Sequence, residues 1–315
     1  MSNYLSLHCH NNLWGRPWAY GGLPGRPNFA VVAILLCLIL AGCGSRHGPI
    51  DPSLTVFIPP DTVALAGANL EQIRATPLYR RLAERNRLPR FDEFRTESGF
   101  DPSLDIHELL LASDGKNMLA IAHGVFAGKP QGNLQTSEYK GYTLYAKDQS
   151  EAIAFIGKDI VLGGQTASVR TAIDQFKNGG SGAPRDLMAR AQALPADAQI
   201  WAVVAAWRGM EPGQLREMGN LANLDRVMRL VEGASLTVNL RAGVHTAFTG
   251  DSRTETDTKT LADSLRGLAA LARMGVPRNQ PDLLRVLDGI QVKQEGRVVK
   301  VSIDMPEDLA ERLAR

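Results

Sequence analysis

Two histidines in matching local frames are the first residues here that could do chemistry. His123 and His245 each open an H-x-x-F-x-G stretch. Sliding the chain by 122 residues superposes them: residues 112–128, ASDGKNMLAIAHGVFAG, match residues 234–250, ASLTVNLRAGVHTAFTG, at seven positions without a gap. Two equivalent imidazoles beside a pseudo-twofold axis are candidates to share a metal ion or a proton. The plainer reading makes them strand residues copied by a duplication. It is favoured because no carboxylate stands near them at ligand spacing: the i±2 neighbours of His245 are Gly243 and Ala247.

Asp61 and Asp197 form a second matched pair. Each follows a Pro-containing turn, in Ile58-Pro59-Pro60-Asp61-Thr62 and Leu194-Pro195-Ala196-Asp197-Ala198. They could serve as paired carboxylates for acid–base work. An Asp at that position more often accepts backbone N–H bonds where a strand begins, so the expectation is architectural. Gly163-Gly164-Gln165-Thr166 precedes a helical stretch but has no lysine in the loop, so Thr166 is expected as a simple N-cap rather than part of an anion cradle. Trp201 and Trp207 belong to or flank an apolar strand and are expected to pack in the core. No G-x-S-x-G elbow, phosphate loop, dinucleotide fingerprint or H-E-x-x-H occurs, so neither an enzyme activity nor a cofactor or metal is expected from motifs.

The elements that must position these residues read as a double series. Thr76-Pro77 starts a helix carrying Leu78 and Leu82, and Phe91 with Phe94 suggests another. Leu221, Leu224, Met228 and Val231 step at helical spacing toward Gly233 as a C-cap. Hairpins are expected around Asp114-Gly115, Gly157-Lys158-Asp159, Arg241-Ala242-Gly243 and Glu295-Gly296. Helices carrying Val169, Ile173 and Phe176, and Leu309 and Leu313, close the two series. A longer helix places Leu261, Leu265, Leu268 and Ala272 on one face. The expected fold is α+β, with two similar halves, each a largely antiparallel sheet with helices packed on one side. The halves span residues 56–180 and 194–315, joined by a connection over 181–193.

Composition narrows the partners. The chain has 315 residues and a formal net charge of +2. Arg16 and Arg26 are the charged residues before Cys43, so the remainder balances 33 basic against 33 acidic side chains. Nothing like the basic stripe of a nucleic-acid binder is present. The cysteines are Cys9, Cys37 and Cys43, so the sequence after Cys43 can form neither an internal disulfide nor a thiolate zinc site.

Cys43 ends an apolar run, Phe29 to Leu40, of about a dozen residues, where a membrane-spanning helix needs about 20. That length fits the apolar region of a signal peptide, and the small residues Ala41 and Gly42 follow as at a cleavage site. Leu40-Ala41-Gly42-Cys43 resembles the lipobox of bacterial lipoproteins. The resemblance implies a signal peptide over 1–42, cleavage between Gly42 and Cys43, and a diacylglyceryl group with fatty acyl chains such as palmitate on the Cys43 thiol. It also implies a tether over 43–55 and a body outside the cytoplasm in the cell envelope. Gly44 in place of Asp implies the outer membrane in a diderm host. Initiation nearer Arg26 would account for the long segment before the apolar run. The body itself is similar to uncharacterised exported bacterial proteins that open with a P-x-D-T strand, seen here at Pro59 to Thr62. The hairpin from Asp288 to Val301 adds to that likeness. The expected partners are the membrane, through the acyl chains, and an envelope protein bound by an interaction or scaffold module. An apolar ligand is the alternative, and an anchored hydrolase stands behind both.

Overall fold

The computed structural model describes residues 48–85, 100–126, 134–146, 150–180, 182–205 and 230–313. All of these lie in one compact unit, Arg46–Arg315. The lipobox, the Phe91 and Phe94 helix, Trp207, and Leu221, Leu224 and Met228 lie outside the described residues.

Packing begins earlier than a tether would allow. Asp51 caps a short 3-10 helix, Pro52–Phe57, by accepting the Ser53 N–H at 2.8 Å. This turn sinks Leu54 and Phe57 into the core, with Gly48 and Ile50 buried just ahead of it. The expected tether over 43–55 is therefore body from residue 48 onward. The reason is two large apolar side chains at i and i+3 that one tight turn delivers to the same side.

The strands are β1 (Ala64–Asn69), β2 (Ile106–Ser113), β3 (Met118–Gly124), β4 (Gln135–Tyr139), β5 (Tyr142–Ala146), β6 (Glu151–Ile156), β7 (Ile160–Gln165), β8 (Ile200–Val204), β9 (Val231–Asn239), β10 (Val244–Ser252), β11 (Gln291–Glu295) and β12 (Val298–Met305). They form one continuous twelve-stranded sheet in the order β11-β12-β10-β9-β8-β1-β2-β3-β7-β6-β5-β4. Each described pairing is antiparallel. Two separate sheets were expected; β1 and β8 instead hydrogen-bond to each other, from Ala64 opposite Val204 to Ala68 opposite Ile200. From that seam the order runs outward as β2, β3, β7, β6 on one side and β9, β10, β12, β11 on the other.

The helices are α1 (Leu70–Arg74), α2 (Pro77–Glu84), α3 (Pro102–Asp105), α4 (Thr166–Lys177), α5 (Arg185–Gln192), α6 (Glu255–Met274), α7 (Pro281–Asp288) and α8 (Glu307–Leu313). The N-cap of α2 is Thr76, whose Oγ1 accepts the Tyr79 N–H, as its sequence predicts. The Asp114-Gly115, Gly157, Gly243 and Gly296 turns also form where expected. Two expectations fail. Residues 185–192, read as connection, are α5, because Leu187 and Ala191 at i and i+4 reach the core. Gly233 lies inside β9 rather than capping a helix, and a Cβ there would strike the Arg190 guanidinium.

The main core lies on one face of the sheet, where Leu65, Leu110, Leu119, Ile121 and Leu162 meet Leu54, Ile173 and Leu187. Burying each such side chain contributes roughly 1.5–3 kcal/mol. The opposite face is covered as well: Phe100, Ile106, Ala122, Phe126 and Val161 cluster there with Leu70 of α1. Cover on a single side was expected, and the continuous apolar runs of β2 and β3 account for cover on both. The 122-residue slide does not survive strand pairing. It would set Glu232 against Gly243 as the counterpart of Leu110 against Ile121, yet Gly233 pairs with Asp251 and Gly243 sits in a turn.

Candidate functional site

At one end of β1, β2 and β3 the apolar core face turns polar. Asn69, Glu108 and His123 stand opposite one another across the three strands. They continue the face whose preceding row, Gly67, Leu110 and Ile121, belongs to the core or abuts it. The β2–β3 pairing slips between Ile106 and Glu108, leaving His107 as the extra residue of a bulge. A bulge re-aims side chains, and this one brings the His107 ring edge-on to His123, with centroids 6.0 Å apart and planes at 84°.

The capped 3-10 turn closes over this row. The Asp51 N–H donates to Glu108 Oε1 at 3.1 Å, and Asp51 Oδ2 lies 4.0 Å from His123 Nδ1. From the other side, α1 supplies Glu71 and Gln72, the latter held by its N–H donating to Asn69 Oδ1 at 2.8 Å. Together they enclose a cavity of about 230 Å3. Gln72 Oε1 is buried without a hydrogen-bond partner among the described residues. The described lining offers carboxylates, amides and imidazoles but no lysine, arginine, hydroxyl or thiol. Such a lining accepts hydrogen bonds and favours positive charge. Among the described residues, no three His, Cys, Asp or Glu side chains are grouped so as to hold a metal ion.

His123 is thus part of a cavity, and His245 is not. His245 lies on β10, five strand spacings from β3 in the sheet order, or about 24 Å at the usual spacing. The two imidazoles share nothing. Each nevertheless has a carboxylate neighbour supplied from elsewhere in the fold, which spacing along its own strand does not reveal. His245 Nδ1 meets Asp304 Oδ1 at 2.8 Å, and its Nε2 meets the Ala242 carbonyl at 3.2 Å. The bond to Asp304 raises the His245 pKa, with partial burial opposing and the Ala242 carbonyl assisting.

Asp61 and Asp197 precede strands that run antiparallel across the seam, so they stand at opposite ends of the sheet. Asp197 accepts from Asn239 Nδ2 at 2.9 Å. The Gly163 to Thr166 loop is occupied by its own chain. Gln165 Oε1 accepts the Met118 N–H at 2.7 Å, and the Thr166 N–H donates to Ser150 O at 2.8 Å. Thr166 is the first residue of α4 rather than its cap. Trp201 is buried, as expected, and lies over Gly67.

The cavity residues Asp51, Asn69, Gln72, His107 and Glu108 escape motif reading. A partial signal is present: counting back from the four-residue loop 114–117 sets Glu108 opposite His123, where two apolar strands both turn polar.

No protein-family model matches the chain, and no curated protein matches it. Among solved structures, crystal form I of TP0453 is similar with a TM-score of 0.45 and 10% sequence identity, over 85% of this chain and 96% of that one. Among the described residues, no helix is long and apolar enough to cross a membrane.

Proposed function

We propose that this chain is a lipid-anchored protein of the bacterial cell envelope, in the outer membrane of a diderm host, whose body works as an interaction or scaffold module. The observation that carries the reading is Leu40-Ala41-Gly42-Cys43, an apolar run ending in two small residues and a cysteine. Two acyl chains on one thiol hold far more firmly than one, at roughly 0.8 kcal/mol per buried methylene. The polarity of the described cavity lining gives no support to an apolar carrier.

We further infer that the body arose by duplication. The mirrored strand order on either side of the β1–β8 seam supports this, with β4 and β5 as an addition to the first copy.

Expression of the full chain in a bacterial host fed a labelled fatty acid tests the anchor. Cys43→Ser is expected to abolish acyl label and leave the leader uncleaved. Persistent label and membrane retention in that variant would overturn the reading.

A further inference from the structure

The two rims of the twelve-stranded sheet differ in what they expose. Strand pairing traces one of them. At this rim β1 ends at Asn69, β2 begins at Ile106 and β3 ends at Gly124. In the other direction β8 begins there at Ile200, β9 ends at Asn239, β10 begins at Val244, β12 ends at Met305 and β11 begins at Gln291. Helix α6 reaches the same rim. It starts beside the far end of β11, where Gln294 Nε2 donates to the Glu255 carbonyl, and finishes where Arg273 meets Asp288, just ahead of β11.

Six of the eight large apolar side chains exposed among the described residues belong to this rim. Leu104 and Val125 stand beside the start of β2 and the end of β3, Ile200 opens β8, and Leu313 lies on α8, which follows β12. The largest exposures are at the end of α6, where Leu271 is 64% and Met274 82% exposed. Residues 270–275 are exposed one after another, so the last turn of this helix has no covered face. Of the other two, Met118 opens β3 at the opposite rim, and Phe176 stacks on Phe57.

The chain enters the body at this rim as well. The Asp51 N–H donates to Glu108, which stands beside Asn69. Cys43 lies five residues before Gly48, a stretch that spans at most about 18 Å when fully extended. An acylated Cys43 therefore keeps this rim, and not the opposite one, next to the bilayer. Charge agrees with that neighbour. From Ser264 to Pro281 the chain carries Arg266, Arg273 and Arg278 and no acidic residue. Arg266 and Arg273 are paired with Asp263 and Asp288, but both pairs are largely exposed. Such pairs are weak, and a guanidinium accepts phosphate as readily as carboxylate. The exposed apolar groups are also spread along the rim: the end of α6 beside β11 lies five strand spacings from β1, about 24 Å. A protein partner buries one contiguous patch, whereas a fluid lipid surface meets separated points.

We propose that this rim docks on an anionic phospholipid surface, with Leu271 and Met274 entering the headgroup region and Arg266, Arg273 and Arg278 meeting lipid phosphates. The docking rests on the anchored reading and deepens it. The body gains a second, non-covalent hold and stands with its sheet end-on to the membrane.

The test uses the full chain, expressed with its own leader and reconstituted into vesicles. One sample carries Ala270→Cys and another Met118→Cys, at the opposite rim. Intact mass reports acylation of Cys43, and peptide mass after a water-soluble maleimide reports the rate at each introduced thiol. In phosphatidylglycerol vesicles position 270 is expected to react about tenfold more slowly than in phosphatidylcholine vesicles, the shift that partial burial of an apolar side chain supplies. Position 118 should react alike in both, and added salt should narrow the gap at position 270. Leu271→Asp combined with Arg278→Glu should erase the slowing and leave position 118 unchanged. An acylated chain with equal rates at position 270 in the two lipids overturns the docking while the anchor stands. A chain without acyl groups overturns the anchor, and the docking with it. Slowing that survives the double substitution overturns the docking, as does slowing that follows the protein-to-lipid ratio, which would assign the rim to a second copy of the chain.

Discussion

His245 engages both ring nitrogens, and that engagement gives it a pH signature. The Asp304 hydrogen bond favours the imidazolium, so the pair stabilises the fold fully below the ordinary histidine pKa of about 6.5. That stabilisation fades as pH rises through the raised folded value. Both partners are largely exposed, which limits the effect to at most about 1 kcal/mol. Asp304→Asn should therefore be less stable than the parent in acid and converge with it in base, read as urea midpoints from about pH 5.5 to about pH 9. A constant gap across that range would contradict the assignment. The sequence made His123 and His245 visible as a pair, but not what surrounds either one. Each carboxylate neighbour arrives from a distant part of the chain, and only the fold brings it close. His107 was invisible for a different reason: a bulge leaves no mark in the residues that form it.

Elements defined by local chemistry were legible, and elements defined by tertiary burial were not. Asp114 accepts the N–H groups of both Lys116 and Asn117, so its turn is built from contacts within four residues and can be read directly. The β4–β5 hairpin was missed. Its turn residues Lys140 and Gly141 both have positive φ, 49° and 84°, and a lysine gives weaker notice of that conformation than Asn or Asp. The long helix α6 buries Thr258, Leu261 and Ala262; beyond them Leu271 and Met274 are exposed. The closing helix α8 shows how an ion pair can fasten an element. Glu311 takes a short hydrogen bond from Arg81 and meets Arg85 at 3.0 Å, both arginines lying on or next to α2. The Arg81 bond holds the Glu311 carboxyl below its ordinary value, against the pull of burial. Glu311→Gln is expected to speed amide exchange in α8 selectively. Acid should do the same to the parent as pH falls through the lowered pKa, because that stabilisation exists only while the carboxylate is charged. Unchanged exchange in the variant would show that apolar packing of Leu309 and Ala310 suffices.

At the scale of the whole molecule, the seam between β1 and β8 is where the sheet becomes continuous. Trp201 is fully buried there and lies over Gly67, its partner across the seam. A Cβ at Gly67 would approach the indole atoms to 2.4–2.5 Å. Gly67→Val is expected to lower stability by about 1–3 kcal/mol, the usual cost of overpacking, measured by urea unfolding. Because the sheet runs unbroken through this point, exchange protection should fall together on both sides of the seam. A loss confined to β8–β12 would mean that the two sides unfold independently. The continuous sheet was not legible, since nothing in either opening strand announces that its edge will pair with the other.

The stack of Phe57 on Phe176, with centroids 4.9 Å apart, joins the first turn of the body to α4. Tension applied through an acylated Cys43 would pass Gly48 and Ile50, both buried, before it reached this aromatic clasp. A tug from the bilayer would thus load side chains already buried in the core, Leu54 and Phe57.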